Sequence, residues 1–166
     1  PQRVVFAEGG HPSMMKAAVQ AKTEGICYPI LLGNPDRLHR VAQRLKLDLT
    51  DIEIIDMRAD SEQGRRATFE EAYDKMYERN YFGMSMVESG DADAFITGLY
   101  TKYSNTIKVA KEVVGIQEGY NTFGTMHILN TPKGTFYVAD TLINRHPDSN
   151  VMIDIARLSA NTVKFF

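Results

Sequence analysis

The stretch from Gly90 to Lys108, Gly-Asp-Ala-Asp-Ala-Phe-Ile-Thr-Gly-Leu-Tyr-Thr-Lys-Tyr-Ser-Asn-Thr-Ile-Lys, decides the fold. Gly90 suits the left-handed residue that ends a helix, and Asp91 and Asp93 punctuate the turn after it. Ala94-Phe95-Ile96 is apolar without alternation, which predicts a short strand covered on both faces. Thr97-Gly98 ends the strand, and Ser104 or Asn105 can cap a helix running on to Val114. In an open parallel sheet, ligands bind beyond the carboxyl ends of strands, where helix N-termini present free N–H groups. Residues Thr97 to Thr106, rich in hydroxyls and flanked by Lys102 and Lys108, fit such a place. A well-capped α/β turn with a polar surface has the same composition, so the turn alone leaves both readings open.

Working outward, the flanking sequence supplies the rest of a βαβ pattern. Arg3 to Glu8 reads as a strand closed by Gly9-Gly10, and Pro12 fits the first turn of a helix that Gly25 ends. Tyr28 to Leu32 is a second strand. Asp36 to Leu45 is a helix with Leu38, Val41, Ala42 and Leu45 on one face, and Glu53 to Asp56 is a third strand. Thr68 and Glu71 form a capping box. It opens a helix predicted to reach about Ser89, with Phe69, Tyr73, Met76, Met84 and Val87 on one side. Thr122 to Leu129 and Thr135 to Ala139 read as a hairpin around Thr131-Pro132-Lys133-Gly134. A last helix starts at Pro147-Asp148, with Met152, Ile155, Ser159 and Val163 marking one face. The alternation predicts an α/β fold of three α/β/α layers around a mainly parallel, doubly wound sheet, in a single domain over residues 1–166.

Composition narrows the function classes. The chain has 166 residues, 43% hydrophobic and 24% charged, with a net charge of −2. These are the proportions of a soluble globular domain, and no Lys/Arg stripe offers a nucleic-acid footprint. No signal peptide or membrane-length apolar run is visible. The single cysteine, Cys27, cannot pair within the chain, so a reducing cytoplasm is expected, and its apolar neighbours predict a small core residue. His11, His39, His127 and His146 have no metal-ligand spacing, and no dinucleotide, Walker-type or Gly-x-Ser-x-Gly motif is present. What remains are polar pairs at strand ends: Glu8 with Gly9, Thr97 with Gly98, and Asp140 with Thr141. In a parallel sheet these would share one edge.

Several stretches together resemble the first half of the phosphate acetyltransferase/butyryltransferase family. They are Val-Val-Phe-Ala-Glu-Gly from Val4, Pro-Ile-Leu-Leu-Gly-Asn from Pro29, Asn-Tyr-Phe-Gly-Met-Ser-Met-Val from Asn80, Gly-Asp-Ala-Asp-Ala-Phe-Ile-Thr-Gly-Leu from Gly90, and Gly-Thr-Phe-Tyr-Val-Ala-Asp-Thr from Gly134. Within it, Ala139 to Pro147 and Gly98 to Tyr103 are similar to one branch, the transacetylase-like domain fused to the C-terminus of bacterial NADP-dependent malic enzymes. The resemblance implies a two-lobed protein whose cleft takes an acyl-CoA and an acyl phosphate. This chain would be the first lobe, a fragment of a longer polypeptide, without the serine, arginine and aspartate that the family's second lobe supplies for catalysis.

The same resemblance implies a parent that oxidatively decarboxylates malate to pyruvate, using NADP and Mg2+ or Mn2+ in an N-terminal malic-enzyme domain. This fragment would be inactive itself, a homo-oligomer-forming domain responsive to acetyl-CoA. Coupling over roughly 20–40 Å then needs a bistable interface, typically with about 1–3 kcal/mol of coupling free energy. Residues implied for acyl-CoA or phosphate contact are Thr97, Gly98, Tyr103, Ser104, Thr106 and Lys108, followed by Asp140, Thr141 and Asn144. Turn capping is an equally good reading of Asp140 and Asn144. Where transacetylases carry Thr-x-Arg-Pro, this chain has Thr106-Ile107-Lys108-Val109. Lysine keeps the charge but lacks the planar fork that suits a phosphate. The short Ser61–Ala67 segment either keeps Arg65 and Arg66 as the remnant of the family's substrate-arginine run or marks a loop missing from this sequence, and neither arginine is assigned. Both departures favour regulation over transfer. A true phosphate acetyl- or butyryltransferase is the alternative, and a pure oligomerisation module a third reading.

Overall fold

The alternating apolar runs of the first 115 residues assemble into one four-stranded sheet, in which every pairing is parallel. A computed structural model describes residues 1–58 and 75–165. They divide into two compact units, Pro1–Gly115 and Ile116–Phe166. In the first unit the elements are β1 (Gln2–Phe6), α1 (Pro12–Thr23), β2 (Cys27–Leu32), α2 (Pro35–Leu45), β3 (Glu53–Ile55), α3 (Arg79–Glu88), β4 (Ala94–Ile96) and α4 (Tyr103–Val113).

The strand order is β3-β2-β1-β4. The chain builds outward from β1 to β3, then crosses back to place β4 on the other side of β1. This reversal makes the β1–β4 boundary the switch point of the sheet, where a crevice opens beyond the carboxyl ends. One face of the sheet buries Phe6, Cys27 and Leu31 against Met14, Met15 and Ala18 of α1 and Leu38, Val41 and Ala42 of α2. The other buries Val5, Ile30 and Leu32 against Phe82 and Met86 of α3. Successive strand residues point to opposite faces, so this division is the period-2 rule at work. The three-layer α/β architecture is therefore as the sequence implies. Burial pushes the Cys27 thiol pKa up, in keeping with a core residue.

Three local expectations fail for identifiable reasons. The strand Ala94–Ile96 is not covered on both faces: it is an edge strand, and Ile96 is 43% exposed. The long helix does not run unbroken to Ser89. Its capping box at Thr68 and Glu71, with Phe69 and Tyr73, lies outside the described residues, but the chain turns at residues 76–78. There Glu78 adopts extended backbone and its carboxylate accepts from Tyr81 N at 3.2 Å, starting α3 afresh at Arg79. Ser104 and Asn105 do not cap α4 either. The helix begins two residues before Asn105, Lys102 takes the N-cap position, and no side chain caps it.

Close approach of α3 to the sheet depends on Gly83, where a Cβ would lie 2.2 Å from the Phe95 ring. The second unit holds β5 (Met126–Thr131), β6 (Gly134–Ala139) and α5 (Ser149–Val163). The two strands pair antiparallel from Met126↔Ala139 to Thr131↔Gly134, leaving Pro132-Lys133 as a two-residue turn. The strand thus starts at Met126 rather than Thr122. On α5 the inward face carries Asp154 and Ile155, while Met152, expected on that face, is 55% exposed.

Candidate functional site

The switch point brings together residues far apart in sequence. β1 ends at Phe6, and two residues later Glu8 is 3% exposed. Its Oε1 accepts from Thr97 Oγ1, Gly98 N and Leu99 N, each at 3.2 Å. Gly98 reaches this geometry with φ +130, a conformation L side chains rarely adopt. Thr97 Oγ1 also lies 2.8 Å from Oδ1 of Asn80, which the start of α3 holds 1% exposed. Thr97 and Gly98 are therefore anchored, as expected of residues beyond a strand end, and Glu8 is the anchor. Among the described residues, Glu8 Oε2 and Asn80 Nδ2 are buried without hydrogen-bond partners. Unmet buried polar atoms cost free energy, and native structures keep few of them.

One turn on, α4 opens with its first N–H groups uncapped by any side chain. The Thr106 hydroxyl in that turn is buried and has no partner among the described residues. Tyr103 and Ser104 are exposed beside it. The Lys108 side chain is 72% exposed and its ammonium lies 3.8 Å from Glu112. Glu112 is the hub of a small network: it also accepts from Tyr81 Oη at 2.5 Å and from Lys75 Nζ at 3.2 Å. The hydrogen bond to Glu112 pushes the Tyr81 pKa up. The same bond, then that from Lys75, holds the Glu112 carboxyl below its ordinary value. Sequence reasoning missed Asn80, Tyr81 and Glu112. The visible signal was a lone amide, Asn80, just ahead of the apolar run from Tyr81 to Met84.

Asp140, Thr141 and Asn144 follow β6 in the antiparallel hairpin unit, not an edge of the parallel sheet, because a two-residue turn forces the hairpin pairing. Asp140 sits at φ +48 and accepts from Thr125 N and Oγ1 and from Asn144 N and Nδ2. Asn144 Nδ2 also donates to Phe123 O at 2.9 Å, so these two residues clamp the loop before β5. Thr141 Oγ1 pairs with His127 Nδ1 at 2.8 Å. Burial works to raise the Asp140 pKa, but the Asn144 and Thr125 hydrogen bonds outweigh it and hold the carboxyl below its ordinary value. A depressed folded-state pKa stabilises above the unfolded value and loses that contribution as pH falls through the folded one. Unfolding measured against pH should therefore show the advantage of wild type over Asp140→Asn shrinking below about pH 4. Asparagine tolerates the left-handed backbone, and its amide NH2 replaces one accepting oxygen, so the comparison reads the lost charge together with one lost acceptor.

This α/β chain has counterparts among known proteins. The sequence pattern described as phosphate acetyl/butaryl transferase matches residues 1–166, the whole chain. The chain belongs to that family. An NADP-dependent malic enzyme from Escherichia coli is 31% identical over all of this chain, which spans 24% of that protein. A phosphate acetyltransferase from Bacillus subtilis is 29% identical over 99% of the chain, which spans 54% of it. Among solved structures, a phosphotransacetylase from Streptococcus pyogenes superposes with a TM-score of 0.85 at 26% identity. That match covers 98% of this chain and 54% of the other. The chain thus spans about a quarter of its malic-enzyme relatives and about half of its acetyltransferase relatives.

Proposed function

We propose that this chain is the first lobe of an acyl-CoA-responsive regulatory domain, itself non-catalytic, in an NADP-dependent malic enzyme. The observation that carries the binding half of this reading is the head of α4. Its N–H groups lack a side-chain cap, and the buried Thr106 hydroxyl has no partner among the described residues. A helix N-terminus so left open accepts a phosphate or thioester oxygen. Thr97, Gly98, Tyr103, Ser104 and Lys108 flank it. Lys108 supports regulation over transfer: a single-point ammonium already drawn to Glu112 is a weak clamp for a phosphoryl oxygen. Asp140, Thr141 and Asn144 belong to this reading through the resemblance, with structural clamping their evident local role.

In this reading NADP and Mg2+ or Mn2+ belong to the parent's separate malic-enzyme domain, and the parent is a cytoplasmic homo-oligomer. The described residues group no three His, Cys, Asp or Glu side chains fit for a metal ion. None of the described helices is long and apolar enough to cross a membrane. A second reading, a phosphate acetyl- or butyryltransferase lobe moving acyl groups between CoA and phosphate, is favoured by the superposition on the S. pyogenes phosphotransacetylase.

Malate-dependent NADP reduction by the full-length protein separates the two. Acetyl-CoA should change the wild-type rate, and Lys108→Ala should need about tenfold more effector for the same response, the loss of one charge-assisted contact. Acetyl transfer to phosphate without NADP reduction would establish the second reading instead.

A further inference from the structure

One carboxylate gathers the charged side chains at the boundary of α3 and α4. Glu112, in the last turn of α4, uses its two oxygens differently. Oε2 accepts from Tyr81 Oη of α3 at 2.5 Å and from Lys75 Nζ at 3.2 Å. Oε1 faces the Lys108 ammonium at 3.8 Å, one helical turn back. Lys75 also stands over the Tyr81 ring, 5.3 Å from its centroid. Two donors therefore fix Glu112 on one side before Lys108 reaches it on the other. An exposed ion pair usually contributes little, because two flexible side chains must be ordered at once. Here the acid is already ordered, so only Lys108 loses freedom in the pair.

Lys108 has two directions open to it. A helical Cβ tilts toward the N-terminus, which lets the side chain lie back past Ser104 toward the first turn of α4. In the structure the ammonium is turned onward to Glu112 instead. The side chain is 72% exposed, so packing leaves it free to swing between the two.

We propose that Glu112 is a positioning residue: it holds Lys108 away from the head of α4 and so sets how much acyl-CoA is needed to fill that head. The inference rests on the reading of the α4 head as an acyl-CoA site. An anion arriving there draws Lys108 off Glu112, so the ion pair opposes binding by its own strength. Tyr81 and Lys75 keep Glu112 in place when Lys108 leaves, and the acid recaptures the lysine when the ligand departs.

The test is calorimetric titration of the full-length protein with acetyl-CoA, in wild type, Glu112→Gln, Lys108→Ala and the double variant. Glu112→Gln keeps an acceptor for Tyr81 and removes the charge that holds Lys108. Acetyl-CoA should then bind about threefold more tightly, the strength of an exposed charge pair. In the Lys108→Ala background the same substitution should leave the affinity unchanged. That dependence on Lys108 separates positioning from the general loss of a negative charge. It also separates it from a merely structural role, which would move thermal unfolding and not a Lys108-dependent affinity. Unchanged affinity in Glu112→Gln, while Lys108→Ala weakens binding, overturns the positioning role and leaves the α4 site standing. Equal tightening in both backgrounds overturns it as well. Acetyl-CoA binding as tight in Lys108→Ala as in wild type removes Lys108 from the site, and the role of Glu112 with it.

Discussion

Glu8→Ala is expected to destabilise the first unit by about 2–4 kcal/mol, a large effect for a side chain that is not hydrophobic. A single oxygen, Oε1, satisfies the Thr97 hydroxyl and the backbone N–H groups of Gly98 and Leu99. Truncation leaves the Gly98 and Leu99 N–H groups without their acceptor, at a site where Glu8 itself is 3% exposed, while the Thr97 hydroxyl keeps Asn80 Oδ1 at 2.8 Å. Removing the unpartnered Oε2 gives some free energy back, which keeps the net below the sum of the lost bonds. Water reaching Leu99, a residue 48% exposed, offsets a further part. Glu8→Gln, which retains an oxygen acceptor, should lose much less. Amide hydrogen exchange gives the local readout: Gly98 and Leu99 should lose protection in the alanine variant and keep it in the glutamine variant. Unchanged protection of both amides in Glu8→Ala would show that the carboxylate does not hold the turn.

Phe82→Ala should cost about 3–5 kcal/mol, the range for emptying a phenylalanine site in a packed core. Phe82 is 1% exposed and lies at the centre of the second core layer with Val5, Ile30, Leu32, Met86 and Ala92. The neighbouring Gly83 lets α3 press so closely on Phe95 that the helix cannot sink further to refill the void. Urea unfolding of the first unit should report the loss. Met152→Ala, on an exposed face of α5, should stay within about 0.5 kcal/mol of wild type. A Phe82→Ala cost no larger than that of Met152→Ala would contradict the three-layer packing.

Both predictions rest on contacts that span the chain, and this is where the sequence stops being sufficient. The alternation of apolar runs and amphipathic helices foretold β1 to β3 and α1 and α2 to within a residue or two, because those elements are specified locally by spacing, caps and turns. Gly90, read as a left-handed stop, takes φ +78. The break before α3 was hidden by a continuous helical pattern. Glu78 caps the new start through Tyr81 N, and Asn80 in the same turn faces Thr97, a contact 17 residues away that no local pattern encodes. Likewise Ala94-Phe95-Ile96 has the composition of a covered strand, and its place at the edge follows from strand order, which no local pattern encodes.

The candidate site divides in the same way. Thr97, Gly98 and Thr106 were legible as a polar turn between a strand and a helix. The partners of Thr97, Glu8 and Asn80, stand 89 and 17 residues away from it. Asp140 and Thr141, which the sequence grouped with them by type, belong instead to a hairpin set by a two-residue turn.

By itself the sequence determined the α/β class, the family and the polar turn after β4, because each is written in residue types at short spacing. The tertiary structure alone decided that one buried carboxylate holds that turn. That outcome depends on β4 crossing back to pair with β1, a long-range choice fixed by how the whole sheet buries its two faces.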